Sequence, residues 1–162
     1  LLTFIACLAT GLAAAQTTLT DETLIFLVRH AEKDLTESSP DPSLSAVGKA
    51  QAERLAAMLK NAGIQAVYST ATKRTEQTAQ PLAQLLGLPV QHYDASEADL
   101  PAKLAARSQG KRVLVVSHSN LLPKMLNTYT QSEKHAVSDD YGDLFLLRLV
   151  GRQPASVVQL RF

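Results

Sequence analysis

The chain alternates short apolar runs with longer segments of mixed polarity. Leu24-Ile25-Phe26-Leu27-Val28 is continuous and β-rich, as a strand covered on both faces should be. A polar stretch through Thr36-Glu37-Ser38-Ser39-Pro40-Asp41-Pro42 reads as a surface loop. Ser45 is placed to cap a helix running to about Asn61, with Val47, Leu55, Met58, Leu59 and Ala62 towards one face and Gly63 as terminator. Ala66 to Tyr68 is a second short strand. A helix capped by Thr70 or Thr72 follows, with Thr75, Thr78, Ala79, Leu82, Leu85 and Leu86 on one side and Gly87 at its end. Pro89 to Tyr93 predicts a third strand, Glu97 to Arg107 a short helix, Val113 to Val116 a further buried strand, and a helix starts near Asn120. Leu144 to Val150 and Ser156 to Leu160 are strands joined by a turn at Gly151 to Pro154, too short for a crossover. The pattern predicts an α/β three-layer sandwich: a mainly parallel sheet flanked by helices, with a C-terminal β-hairpin.

The amino-terminal stretch stands apart. Leu1 to Ala15 is uncharged, mostly apolar and closes on Ala13-Ala14-Ala15. It reads as a signal peptide lacking its n-region, with residues 16–162 forming one domain exported to the periplasm or secreted. The run is shorter than a membrane span requires, and lipid anchoring at Cys7 is not expected. Cys7 is the one cysteine in the chain, so residues 16–162 hold no disulfide, thiol nucleophile or thiolate metal site. Net charge is +1 and tryptophan is absent. Neither suggests nucleic acid as a partner, nor a membrane once the signal is removed.

Position gives the basic residues their interest. Ligands of open α/β sheets bind beyond the carboxyl ends of the strands, and Arg29-His30, Ser69-Thr70 with Arg74, and Ser117-His118-Ser119-Asn120 all fall there. Taken singly, each group is ordinary polar edging. Together, two imidazoles and two guanidiniums suit a phosphoryl group. Forked Arg donors match its oxygens, and a neutral imidazole can attack phosphorus.

Leu27-Val28-Arg29-His30-Ala31-Glu32-Lys33 resembles the signature of the histidine phosphatase superfamily, also called phosphoglycerate-mutase-like. Gly is usual where this chain has Ala31. Further matches are Leu44-Ser45-Ala46-Val47-Gly48-Lys49-Ala50-Gln51-Ala52, Tyr68-Ser69-Thr70 through Arg74-Thr75-Glu76-Gln77-Thr78-Ala79, and Val115-Val116-Ser117-His118-Ser119-Asn120. The resemblance implies His30 as phosphorylated nucleophile, Arg29 and Arg74 as phosphate clamps, and His118, cationic in the complex, as a third donor. Lys33 is a candidate substrate contact, and Gly48 and Gln51 match structural positions. The general acid would be Glu97, with Asp94, Asp99 or no acid at all as alternatives; short family members that lack it act on good leaving groups such as phosphohistidine. No metal and no cofactor are implied. The expected activity is metal-independent hydrolysis of a phosphorylated small molecule or phosphoprotein, as a phosphomonoester or phosphohistidine. Behind it stand a phosphate- or phosphoprotein-binding module that has lost turnover, and then a mutase. The modest loops favour hydrolysis over a mutase's phosphoryl return.

Overall fold

The computed structural model describes residues 22–162 except 136 and 139; the signal-type segment Leu1–Ala15 lies outside them. The elements are β1 (Glu22–Arg29), α1 (Ala46–Leu59), β2 (Ala66–Ser69), α2 (Lys73–Leu86), β3 (Val90–His92), α3 (Leu100–Ser108), β4 (Arg112–Ser117), α4 (Leu122–Thr130), β5 (Asp143–Val150) and β6 (Ser156–Arg161). They form one mixed sheet of order β3-β2-β4-β1-β5-β6. β1, β4, β2 and β3 run parallel, whereas β5 and β6 are the expected antiparallel hairpin.

Alternate residues of each central strand feed two separate cores, which is why the strands are apolar without a break. Ile25, Leu27, Val113 and Val115 pack with Leu104 of α3 and Met125 and Leu126 of α4. Phe26, Val28, Leu114 and Val116 pack on the other face with Leu55 and Leu59 of α1 and Leu82 of α2. The sandwich therefore has α1 and α2 on one side and α3 and α4 on the other.

Two helix faces differ from expectation. In α1 the buried stripe is Gly48, Gln51, Ala52, Leu55, Ala56 and Leu59, while Val47 and Met58 lie in solvent. In α2, Ala83 is buried and Leu85 exposed. The cause in α1 is contact with backbone: small and polar residues face the loop after β1, where bulk would not fit. Gly48 is the extreme case, because a Cβ there would stand 2.0 Å from the carbonyl oxygen of Glu32. α3 also begins later than the acidic residues suggested, at Leu100, because residues 94–99 form turns.

Gly48→Ala is expected to lower stability by on the order of 1–3 kcal/mol, although alanine normally favours a helix interior over glycine. Urea unfolding of the variant measures it; a stability gain would mean that the Glu32 loop yields freely.

Candidate phosphoryl-transfer site

Strand register creates the site. β1 and β4 pair so that Arg29 is opposite Ser117, and the His30 amide donates to the Ser117 carbonyl at 2.9 Å. His30 and His118 each lie one residue beyond that pair, and their rings meet edge to face with centroids 5.5 Å apart. β2 lies on the other side of β4 with Ser69 opposite Val116. That stagger carries Thr70 alongside the loop after β4, where its Oγ1 is 2.9 Å from His118 Nε2.

The loop after β1 is held by its backbone. The Ala31 amide donates to Thr78 Oγ1 at 2.9 Å, and the Thr78 hydroxyl in turn donates to the Arg74 carbonyl. The Glu32 amide donates to Gln51 Oε1, and Ser45 Oγ donates to Glu32 Oε1 while capping α1 through the Gly48 amide. Gln77 Oε1 receives the Leu44 amide. The Ala31 methyl is buried with Leu44 and Ala52, so alanine in place of the usual glycine fills space beneath the loop rather than intruding above His30.

His30 is 6 % exposed, and its Nδ1 is 2.8 Å from the Ala31 carbonyl. A carbonyl only accepts, so Nδ1 carries the proton and Nε2 keeps its lone pair. Burial, with the nearby His118, Arg74 and Arg29, pulls the imidazole down from 6.5 to about 4, outweighing the raising effect of the Ala31 hydrogen bond. The ring is therefore neutral at ordinary pH, as a nucleophile must be. His118 is likewise lowered to about 4, first by burial and then by Arg74 and Arg29, with Asp41 opposing. The free site thus holds His118 uncharged, and the cationic form expected in a complex requires an arriving anion to stabilise it.

Arg74 opens α2, where Thr72 stands at the N-cap position but makes no side-chain capping bond. Asp41, from the polar loop, takes that place. Its carboxylate receives the Lys73 amide at 3.1 Å and pairs with Arg74 at 3.3 Å. One acid caps the helix and anchors a guanidinium, and sequence reading missed it because the partners are distant in the chain. Arg29 packs its guanidinium over the Tyr141 ring, 4.3 Å from the centroid. Tyr141 was also missed, since nothing in its local sequence marks it.

His30, His118, Arg29 and Arg74 come together at the carboxyl edge. Lys33 is half-buried, and its backbone bridges to Leu44. Glu97 is engaged elsewhere: its carboxylate pairs with Lys103 at 2.8 Å and Arg107 at 3.8 Å on α3. Asp94 lines an open cleft with Thr70, Thr72, His92 and Tyr93, so it shares a wall with the His118–Thr70 pair. Hydrogen bonds from the Ser96 hydroxyl and amide lower its pKa and keep it ionised. Asp99 is at the N-cap position of α3 in left-handed geometry, with no side-chain cap bond.

Residues 25–97 match the family model of the histidine phosphatase superfamily, branch 1. The likeness of this segment is to that superfamily. Solved structures extend the likeness of fold to most of the chain. The protein histidine phosphatase SixA complexed with tungstate aligns with a TM-score of 0.69 at 21% identity, over 85% of this chain and 96% of its own. Mycobacterial glucosyl-3-phosphoglycerate phosphatase gives 0.66 at 16% identity, covering 87% and 98%. Phosphoserine phosphatase from Entamoeba histolytica, in complex with 3-phosphoglyceric acid, gives 0.67 at 15%, covering 86% and 97%. No curated protein matches the chain significantly. The superfamily signature and this chain's geometry coincide at Arg29-His30, and among the described residues no helix is long and apolar enough to cross a membrane.

Two outcomes follow from the electrostatics. Unfolded histidine titrates near 6.5, whereas folded His30 and His118 titrate near 4. Between those values the unfolded chain binds more protons, so stability should rise with pH across that window and fall as acid is added. Melting temperatures measured from pH 7 to 4 should show this slope, and His30→Asn should make it shallower. Asp41→Asn retains a capping oxygen but removes the charge beside Arg74. It should raise KM for a phosphomonoester about two- to fivefold with little change in kcat; an unchanged KM would free Arg74 of any dependence on Asp41.

Proposed function

We propose that the protein is a phosphatase that works through a covalent phosphohistidine on His30, without a metal ion, on a phosphomonoester or phosphohistidine substrate. The observation that carries this is the presentation of His30: neutral, with Nδ1 fixed as donor to Ala31, the Nε2 lone pair left over, and the ring beside His118, Arg29 and Arg74.

The chemistry follows from those groups. Arg29 and Arg74 draw the oxygens of the phosphoryl group and neutralise its charge, the role a metal fills in other phosphoryl-transfer sites. The Nε2 lone pair attacks phosphorus in line, the N–P bond forms, and the P–O bond to the leaving group breaks with its electron pair going to that oxygen. The imidazole becomes cationic, and its Nδ1–H bond to the Ala31 carbonyl strengthens accordingly. The dianion also offsets the two guanidiniums that add to burial in keeping His118 neutral, so binding favours proton uptake there. Water then attacks phosphorus, the N–P pair returns to Nε2, and inorganic phosphate departs.

Protonation of the leaving group is the step for which the site offers least. Glu97 is paired with two cations on α3, and Asp94 is ionised by its Ser96 bonds. This arrangement supports substrates whose leaving group departs with little proton assistance, such as an aryl phosphate or a phosphorylated imidazole. It also supports the rival reading of a phosphate-binding module without turnover. Covalent trapping separates the two.

Purified protein is expected to hydrolyse para-nitrophenyl phosphate in EDTA, and His30→Ala should lose roughly 10³-fold or more of kcat. A denaturing alkaline quench with radiolabelled substrate should leave base-stable label on wild type, lost on later acid treatment, and none on the variant. Turnover without that label, or equal rates for both forms, would exclude the histidine mechanism; neither turnover nor label would favour the binding module.

A further inference from the structure

Tyr141 lies in the segment between α4 and β5, in a part of the sequence without a signature match. Its ring nevertheless reaches the centre of the site. The Arg29 guanidinium carbon is 4.3 Å from the ring centroid, and the His30 ring centroid is 6.0 Å away at a tilt of 50°. One aromatic ring thus borders both members of the Arg29-His30 pair. Thr70 and Asp41 support His118 and Arg74 from the β2–α2 side; Tyr141 is the corresponding support from the β5 side.

The backbone carrying Tyr141 is tied to the end of the chain. The Phe162 amide donates to the Gly142 carbonyl at 3.0 Å, and Gly142 adopts φ +99°, a conformation strained for other residues. A Cβ at Gly142 would also come within 3.0 Å of the Phe162 carbonyl oxygen. Arg161 donates to the Tyr141 carbonyl at 3.4 Å and pairs with Asp140 at 3.6 Å and Asp143 at 3.5 Å. Asp143 is buried and also accepts from Ser138. The sheet edge therefore fixes the base of the loop from which the ring projects.

A guanidinium over an aromatic face is attracted by the ring quadrupole, and the contact fixes the plane in which its N–H groups point. We propose that Tyr141 is a positioning residue: its ring seats Arg29 flat, so that the phosphate-binding edge of the guanidinium is formed before substrate arrives. The proposal rests on the phosphatase reading for its effect on turnover, but its effect on anion binding does not depend on that reading. Preorganisation of this kind is felt in binding, because a guanidinium in another plane must otherwise be turned when the anion enters. The ring face does this work, so the hydroxyl is dispensable.

Three proteins are compared: wild type, Tyr141→Leu and Tyr141→Phe. Tungstate is the probe for binding by calorimetry, and para-nitrophenyl phosphate for kinetics. Tyr141→Leu should weaken tungstate about five- to tenfold and raise KM in proportion, with a smaller change in kcat; Tyr141→Phe should recover to within about twofold of wild type. Tungstate affinity unchanged in Tyr141→Leu would overturn the proposal. A Tyr141→Phe protein as impaired as Tyr141→Leu would also overturn it, assigning the effect to the hydroxyl. Should no form turn over substrate, the phosphatase reading fails while the tungstate series still decides the role of Tyr141. Melting temperatures control for folding: weaker binding accompanied by a matching collapse of stability in Tyr141→Leu, without recovery in Tyr141→Phe, counts against positioning.

Discussion

The parallel pairing of β1 with β4, closed by the His30 amide on the Ser117 carbonyl, is the constraint on which the site depends. It sets two histidines from segments nearly ninety residues apart side by side. A shift of one residue would turn every core side chain of β1 to the wrong face, burying Phe26 and Val28 where Ile25 and Leu27 belong. The same apolar pattern that stabilises the sheet therefore fixes the distance between the imidazoles. The geometry of the histidine pair is inherited from core packing.

The second layer of control is polar and lies under the loop rather than in the strands. Thr78, Gln51, Ser45 and Gln77 hold the backbone of residues 31–44. Gly48 lets α1 approach close enough for this to happen. Buried amides without partners are costly, so these contacts define one loop path and hold the His30 main chain against the sheet. With the Ala31 carbonyl fixed in turn, the tautomer of His30 follows.

Electrostatics sets the resting state. Two guanidiniums beside two buried imidazoles would be unfavourable if all four were charged, and burial resolves this by leaving the histidines neutral. The free site therefore holds two guanidiniums beside two uncharged imidazoles, with the Nε2 of His30 unprotonated. Asp41 balances one guanidinium and the Tyr141 face borders the other. Each support comes from a segment that the pattern of apolar residues does not distinguish.

By itself the sequence determined the order and type of the elements, the two-faced apolar strands, the C-terminal hairpin, and the four residues gathered at the sheet edge. It could do so because strand burial and turn chemistry are local, and because Arg29, His30, Arg74 and His118 sit directly at or just past strand ends. The apolar face of α1 was misread at Val47 and Met58, since what faces that helix is backbone from Glu32, and a contact of that kind leaves glycine rather than leucine as its mark. Glu97 looked suited to proton donation by its spacing, but only folding put Lys103 and Arg107 against it. Asp41 and Tyr141 had no local pattern at all. Their parts depend on which distant segment the tertiary structure brings to them, and that was decided by packing across the sheet rather than by neighbours in the chain.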